Sequence, residues 1–183
     1  MLALKDFVEM ENIEKQFFDV VDIMPAKESY DLYLKDPSHI CVVRHGERVV
    51  GFVLALSLNA DTFERVKTGE TNEVAIKPCD LEIGAVAYEN IYLSSIAVDK
   101  NFQNAATLLK LLNEFKKHMR EIVDTHAVRQ VITEPITPEG RKIATHFFKM
   151  KPVKSNPKIY FCTGAVFQKC VKFGSKNQWK SAT

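Results

Sequence analysis

A mixed α/β fold is what this 183-residue sequence predicts: a mostly antiparallel sheet with one central pair of parallel strands and helices on both faces. Three observations carry that expectation. Ile40 to Val43 and Val49 to Leu58 are apolar, β-branched runs separated by the polar stretch Arg44 to Arg48, the pattern of an antiparallel hairpin. Ile91 to Val98 and Val128 to Thr133 flank a segment in which Leu108, Leu112, Phe115, Met119 and Ile122 recur every three or four residues. A strand, helix, strand unit with a right-handed crossover makes its two strands parallel. Composition is globular, with 46% hydrophobic and 26% charged residues and only seven Gly and seven Pro, which excludes a disordered or low-complexity chain. The length suits one domain over residues 1–173, with 174–183 expected to form a frayed tail.

The remaining elements follow in chain order. Residues 2–10 read as a short first strand. Asn12 then caps a helix in which Ile13, Phe17, Val20 or Val21, and Met24 recur, and Pro25 ends it. A second helix covers Ala26 to Lys35 and stops before Asp36 and Pro37. The polar segment Asn59 to Glu82 holds one weak helix near Thr62 to Lys67, and a connection of that length commonly shapes a site. Thr137 caps a helix with Pro138 at its first position, lined by Ile143, Phe147 and Met150 and ended by Pro152. Ile159 to Phe173 reads as one or two strands. The stripes Phe17, Val21 and Leu112, Phe115, Met119 are expected in the core.

A net charge of +2 argues against a nucleic-acid or membrane partner. Cys41, Cys79, Cys162 and Cys170 are scattered without metal-ligand spacing, so no metal is expected, and reduced thiols fit a cytoplasmic protein. Cys162, in an expected strand, reads as a buried thiol rather than a nucleophile. Residues 1–10 do not fit a signal peptide, and no run approaches the ~20 apolar residues of a membrane span.

Chemistry concentrates at the junction from Ile96 to Leu112, where a strand runs into a helix start. Unpaired amides and a partial positive charge there suit a phosphate, and the small Ala105 and Ala106 leave the backbone approachable. The segment Ser95, Ile96, Ala97, Val98, then Gln103 and Ala106, resembles the acyl-CoA-binding motif of the GNAT superfamily of N-acyltransferases. Gln103 matches the motif's first position, while Ala106 and Leu108 stand where small residues, the first a glycine, belong. The hairpin containing Val49, Val50, Gly51 and Phe52, and the element order over roughly residues 2–173, resemble the same family.

The resemblance implies an N-acyltransferase that moves an acyl group, most simply acetyl, from acetyl-CoA or another acyl-CoA to an amine of a small molecule or protein. It implies that the strand at Ile91 to Val98 diverges from the one at Val128 to Thr133. Pantetheine would then pair with backbone at Ile96, Ala97 and Val98, and pyrophosphate would rest on the turn formed by Gln103, Asn104, Ala105, Ala106, Thr107 and Leu108. It places the general base at Glu89, with Glu82 in reserve. Phe147 or Phe148 stands where many members have a proton-donating Tyr, leaving His146 as the candidate donor. Two alternatives stay open. One is a non-catalytic binding module of the same fold, its cleft filled by Leu108 and Phe147. The other is a transferase using an acyl carrier protein, which Lys100, Lys110, Lys116 and Lys117 would face.

Overall fold

The computed structural model describes residues 1–173; the tail expected to fray at 174–183 lies outside them. The first element is a helix, α1 (Leu4–Glu14), where residues 2–10 read as a strand. Phe7, Met10 and Ile13 bury one stripe at three-residue steps, whereas a half-buried strand would alternate, and the Asp6 carboxylate accepts from the Ala3 amide at 2.9 Å to close the helix start. Asn12 therefore lies inside α1 rather than capping a second helix. Val20 and Val21 are not core: they are 68% and 80% exposed on a short 3-10 turn. Helix α2 (Ala26–Lys35) has the limits that the sequence sets.

Strands β1 (Ile40–His45) and β2 (Arg48–Ser57) form the hairpin, joined by a two-residue turn in which Gly46 adopts φ +60°, as the tight turns that match strand twist require. The polar connection contains α3 (Ala60–Thr68), capped by the Asn59 side chain on the Thr62 amide. Strand β3 (Asn90–Val98), helix α4 (Ala105–Thr125) and strand β4 (Gln130–Thr133) make the parallel crossover unit.

The last third departs more. Helix α5 (Pro138–Lys142) is capped by Thr137 as expected, but it widens into a π turn over Ile143–Phe147 and stops there, well short of Pro152. Strands β5 (Lys151–Pro152) and β6 (Tyr160–Thr163) follow, and then a helix, α6 (Gly164–Phe173), where the sequence reads as strand. Phe167, Cys170 and Val171 recur at helical spacing and are buried, and Arg120 of α4 donates to the Val171 carbonyl at 2.7 Å. The sheet order is β1-β2-β3-β4-β6-β5, antiparallel except for β3 with β4.

One core layer lies between the sheet and α4 and α6; the other lies beneath α1 and α2. Along β3 the two layers are kept apart by a bulge. Ala55 of β2 pairs with Leu93 and Leu54 with Ser95, so Ser94 has no opposite number. Ile91 and Leu93 face the α4 layer, and so do Ile96 and Val98, which a regular two-residue alternation would have turned to the other face. The adjacent serines that interrupt this apolar run mark the extra residue.

Outside the sheet, His39 is buried to 1% exposure beside Tyr33, and neither ring nitrogen makes a well-formed hydrogen bond. Burial lowers its pKa to about 4, against opposing influence from Asp36. The unfolded chain binds this proton near pH 6.5 and the folded one not until about pH 4, so falling pH destabilises the fold across that interval. The cost is about 3 kcal/mol at one pKa unit per ~1.4 kcal/mol. Urea melts of His39→Leu and wild type from pH 7 to pH 4 should diverge as the pH drops, the variant losing less. Parallel curves would show that the ring is not desolvated.

Candidate active site

Strands β3 and β4 are joined for four residues only, from Asn90 opposite Gln130 to Leu93 opposite Thr133. Beyond Leu93, β3 continues to Val98 against β2 alone, and β4 has ended. The direction of the exposed backbone follows from the ladder. The Asp99 amide donates to the Val50 carbonyl at 2.9 Å, and in an antiparallel pair the bonded positions alternate. Ser95 and Ala97 thus bond toward β2, whereas Ile96 and Val98 turn their amides and carbonyls to the open side. Gln103 reaches back to donate to the Val98 carbonyl at 3.3 Å. The middle of the sheet therefore contains a strand edge.

That edge opens into a cleft of about 1180 Å³, at the carboxyl ends of the two parallel strands. Its walls are Tyr92 to Ile96 of β3, Thr133 to Thr137 after β4, the α3–β3 connection from Thr68 to Ala75, and Glu14 and Phe18 from the end of α1. Two carboxylates stand out. Glu14 is 8% exposed and accepts from Ser95 Oγ at 2.6 Å. Burial pushes its carboxyl up to about 7, with the Glu11 charge adding to the effect and Ser95 opposing it. Glu73, partly open to the cleft, is pushed up to about 8, first by desolvation, then by the charge of Glu14, against a lowering by Ser94. Asp22, Glu70 and Glu134 add further acidity to the lining, against Arg141 and Lys158.

The residues singled out in the sequence fall into separate places. Ile96 lines the cleft, Val98 is buried in the α4 layer beyond it with its carbonyl accepting from Gln103, and Ala97 is buried on the α1 face of the sheet. Asn104 caps α4, its side chain accepting from the Thr107 amide at 2.9 Å, and the Leu108 amide bonds to the Asn104 carbonyl at 3.2 Å. The amides of Ala105 and Ala106, both residues exposed, are left as the open donors of the helix start. Leu108 packs on the core. Glu89 lies before β3 and outside the cleft, its carboxylate 3.2 Å from Arg129. His146 is exposed on the π turn and bonds within it, 2.9 Å from Thr145 Oγ1. Phe148 borders the cleft and packs on Phe115 and Phe167, while Phe147 sits under the Lys116 ammonium at 4.3 Å.

Sequence reasoning missed Glu14 and Glu73. Glu14 falls within the helix expected after Asn12, one residue past Ile13, and nothing local sets it apart from a solvent-facing carboxylate; its burial comes from packing against Ser95 of β3. Glu73 lies in a connection without periodicity, where only its length hinted at a role.

Among the described residues no helix is long and apolar enough to cross a membrane. Neither a protein-family model nor a curated protein sequence matches the chain. Solved structures do. The GNAT-like decarboxylase GphF, in complex with isobutyryl-CoA, superposes with TM-score 0.56 at 14% identity, over 79% of this chain and 69% of that one. Ard1 from Thermoplasma volcanium gives 0.52 at 16% identity, over 88% and 93%. The loading GNATL domain of CurA from Lyngbya majuscula gives 0.51 at 14% identity over 72% of this chain, which spans only 61% of that domain's length. With six strands and one parallel pair that parts among the described residues, and helices on both faces, the chain has the fold of the GNAT superfamily.

Proposed function

We propose that this protein is an N-acyltransferase that uses an acyl-CoA thioester, with the donor along the open edge of β3 and an amine acceptor in the acidic part of the cleft. The observation that carries the reading is the parting of β3 and β4 after Leu93, which leaves the backbone edge at Ile96 facing a cleft that also holds raised-pKa carboxylates. The donor fits this edge: an amide-bearing arm needs in-plane donors and acceptors, which the Ile96 peptide groups and the Val98 amide offer, and a phosphate needs amides without partners, which Ala105 and Ala106 offer. Acyl-CoA, when bound, supplies a carbonyl activated toward amines.

The chain's own residues account for the rest. As the nitrogen bonds the acyl carbon and the C–S bond breaks, Glu73 takes the proton that the nitrogen sheds and the CoA thiolate leaves, taking its proton from water; a base with pKa near its working pH suits this task. Glu14, fixed by Ser95, keeps the Glu73 carboxyl in that range. The β3 edge and the α4 start hold the donor in place, and proximity supplies much of the rate. Supporting an enzyme over a bare binding module, Leu108 and Phe147 pack into the core rather than into the cleft.

Calorimetric titration with acetyl-CoA and CoA tests the donor assignment. Saturable binding below millimolar concentration is expected, and none up to that level would end the acyl-CoA reading. Titration with acyl carrier protein in parallel distinguishes the two donors.

A further inference from the structure

The β3–α4 connection is fastened to α1 by a side chain that reaches two of its residues. Gln16, just past the end of α1, donates from Nε2 to Asp99 Oδ2 at 3.3 Å and accepts at Oε1 from the Lys100 amide at 2.8 Å. Asp99 is fully buried, and it also accepts from the Asn101 amide at 2.8 Å and the Arg48 guanidinium at 2.6 Å. Burial alone would push its carboxyl up, but these donors together hold it below the usual carboxylate range, so it is a permanent acceptor near neutral pH. The Lys100 ammonium lies 5.1 Å from the centre of the Phe17 ring, adding a third tie between the same two segments. Two residues before Gln16, Glu14 holds Ser95. One turn of chain is thus pinned to β3 on the acceptor side and to the loop that leads into α4.

We infer that Gln16 and Asp99 are positioning residues that couple the two halves of the site, holding the loop that opens α4 in register with the Glu14 and Glu73 carboxylates. The inference rests on the acyl-CoA reading above. The physical basis is preorganisation. The segment from Asp99 to Asn104 is a single 3-10 turn with short-range bonds of its own, and ordering it costs about 1–2 kcal/mol per residue. Ties to α1 meet that cost before the ligand arrives, so binding does not. The same ties mean that a ligand settling the loop also settles the end of α1 that carries Glu14.

Three proteins test this: wild type, Gln16→Leu and Gln16→Glu, each titrated with CoA at pH 8 and pH 5 and compared by thermal melting. Gln16→Leu removes both hydrogen bonds and should weaken CoA binding about tenfold at either pH. Gln16→Glu keeps the acceptor for the Lys100 amide. At pH 8 it sets two carboxylates against each other and should lose about as much, whereas acidification to pH 5 favours a proton shared between the introduced carboxyl and Asp99, which donates again and should move affinity back toward that of wild type. A generally loosened structure would not regain affinity on acidification. Carboxyl NMR titrations complete the test: CoA should move the Glu14 and Glu73 midpoints in wild type but not in Gln16→Leu. Wild-type CoA affinity in Gln16→Leu, or no pH recovery in Gln16→Glu, overturns the coupling alone. No CoA binding by wild type overturns the donor assignment and the coupling with it.

Discussion

Gly164→Ala is expected to lower the melting temperature by about 10 °C, because among the described glycines this one has the closest backbone approach. A Cβ at this position would lie 1.8 Å from the Val128 carbonyl oxygen and 2.4 Å from its carbon, both backbone atoms that no rotamer change can remove. The Gly164 amide also donates to the Arg129 carbonyl at 2.7 Å, so the chain cannot back away without losing that bond. Overpacking against backbone costs about 3 kcal/mol or more. The damage reaches the cleft: Gly164 joins β6 to α6, Phe167 of α6 stacks on Phe148 with ring centres 5.7 Å apart, and Phe148 is cleft wall. Differential scanning fluorimetry of the variant decides it, and a melting temperature within 2 °C of wild type would show that the junction yields.

Glu73→Gln should reduce acyl transfer by about two to three orders of magnitude while leaving CoA affinity unchanged, because a general base acts on the acceptor's proton and not on donor binding. Thiol release from acetyl-CoA with a panel of primary amines measures the first, calorimetry the second. Glu14→Gln behaves differently. Removing its charge lowers the Glu73 carboxyl, so the acid limb of the pH–rate profile should move to lower pH.

Stability changes the other way. Glu14 binds its proton up to about pH 7 in the folded chain but only to about 4.5 when unfolded, so its contribution is full below pH 4.5 and lost as the pH rises through 7. That loss is about 3 kcal/mol, and Glu14→Gln, which still accepts from Ser95, should be more stable than wild type at pH 8 by an amount of that order. A displaced acid limb together with higher stability at pH 8 in one variant marks a group retained for chemistry. A variant less stable at every pH would make Glu14 a structural residue.

The hairpin, α2 and the parallel crossover unit were legible because each is written in short-range pattern: two β-branched runs about a polar turn, a break at Asp36 and Pro37, and a stripe from Leu108 to Ile122 between apolar runs. The edge at Ile96 and Val98 was legible through its neighbours, since the motif resemblance points at the strand rather than at any catalytic side chain. What stayed hidden was set by distant contacts. Phe7, Met10 and Ile13 carry a helical period, but it is too brief to outweigh the apolar density of residues 2–10. Glu73 owes its position to the bridge between Leu58 and Leu81 and the bond from the Glu82 amide to Ser57, which fold the long connection back over β3. The helix α6 was misread because its β-branched and aromatic content favours a strand, and packing on α4 decides otherwise.

The gap after Leu93 has a consequence for how this protein can change. A groove whose contacts are peptide groups is indifferent to which side chains its strand carries, provided the bulge and the branching remain. Ala106 and Leu108 at the next helix start shape the rim but leave that main-chain surface intact. A pocket of this kind can keep its shape while the side chains along it change, and this chain shares its architecture with a structure one-seventh identical to it.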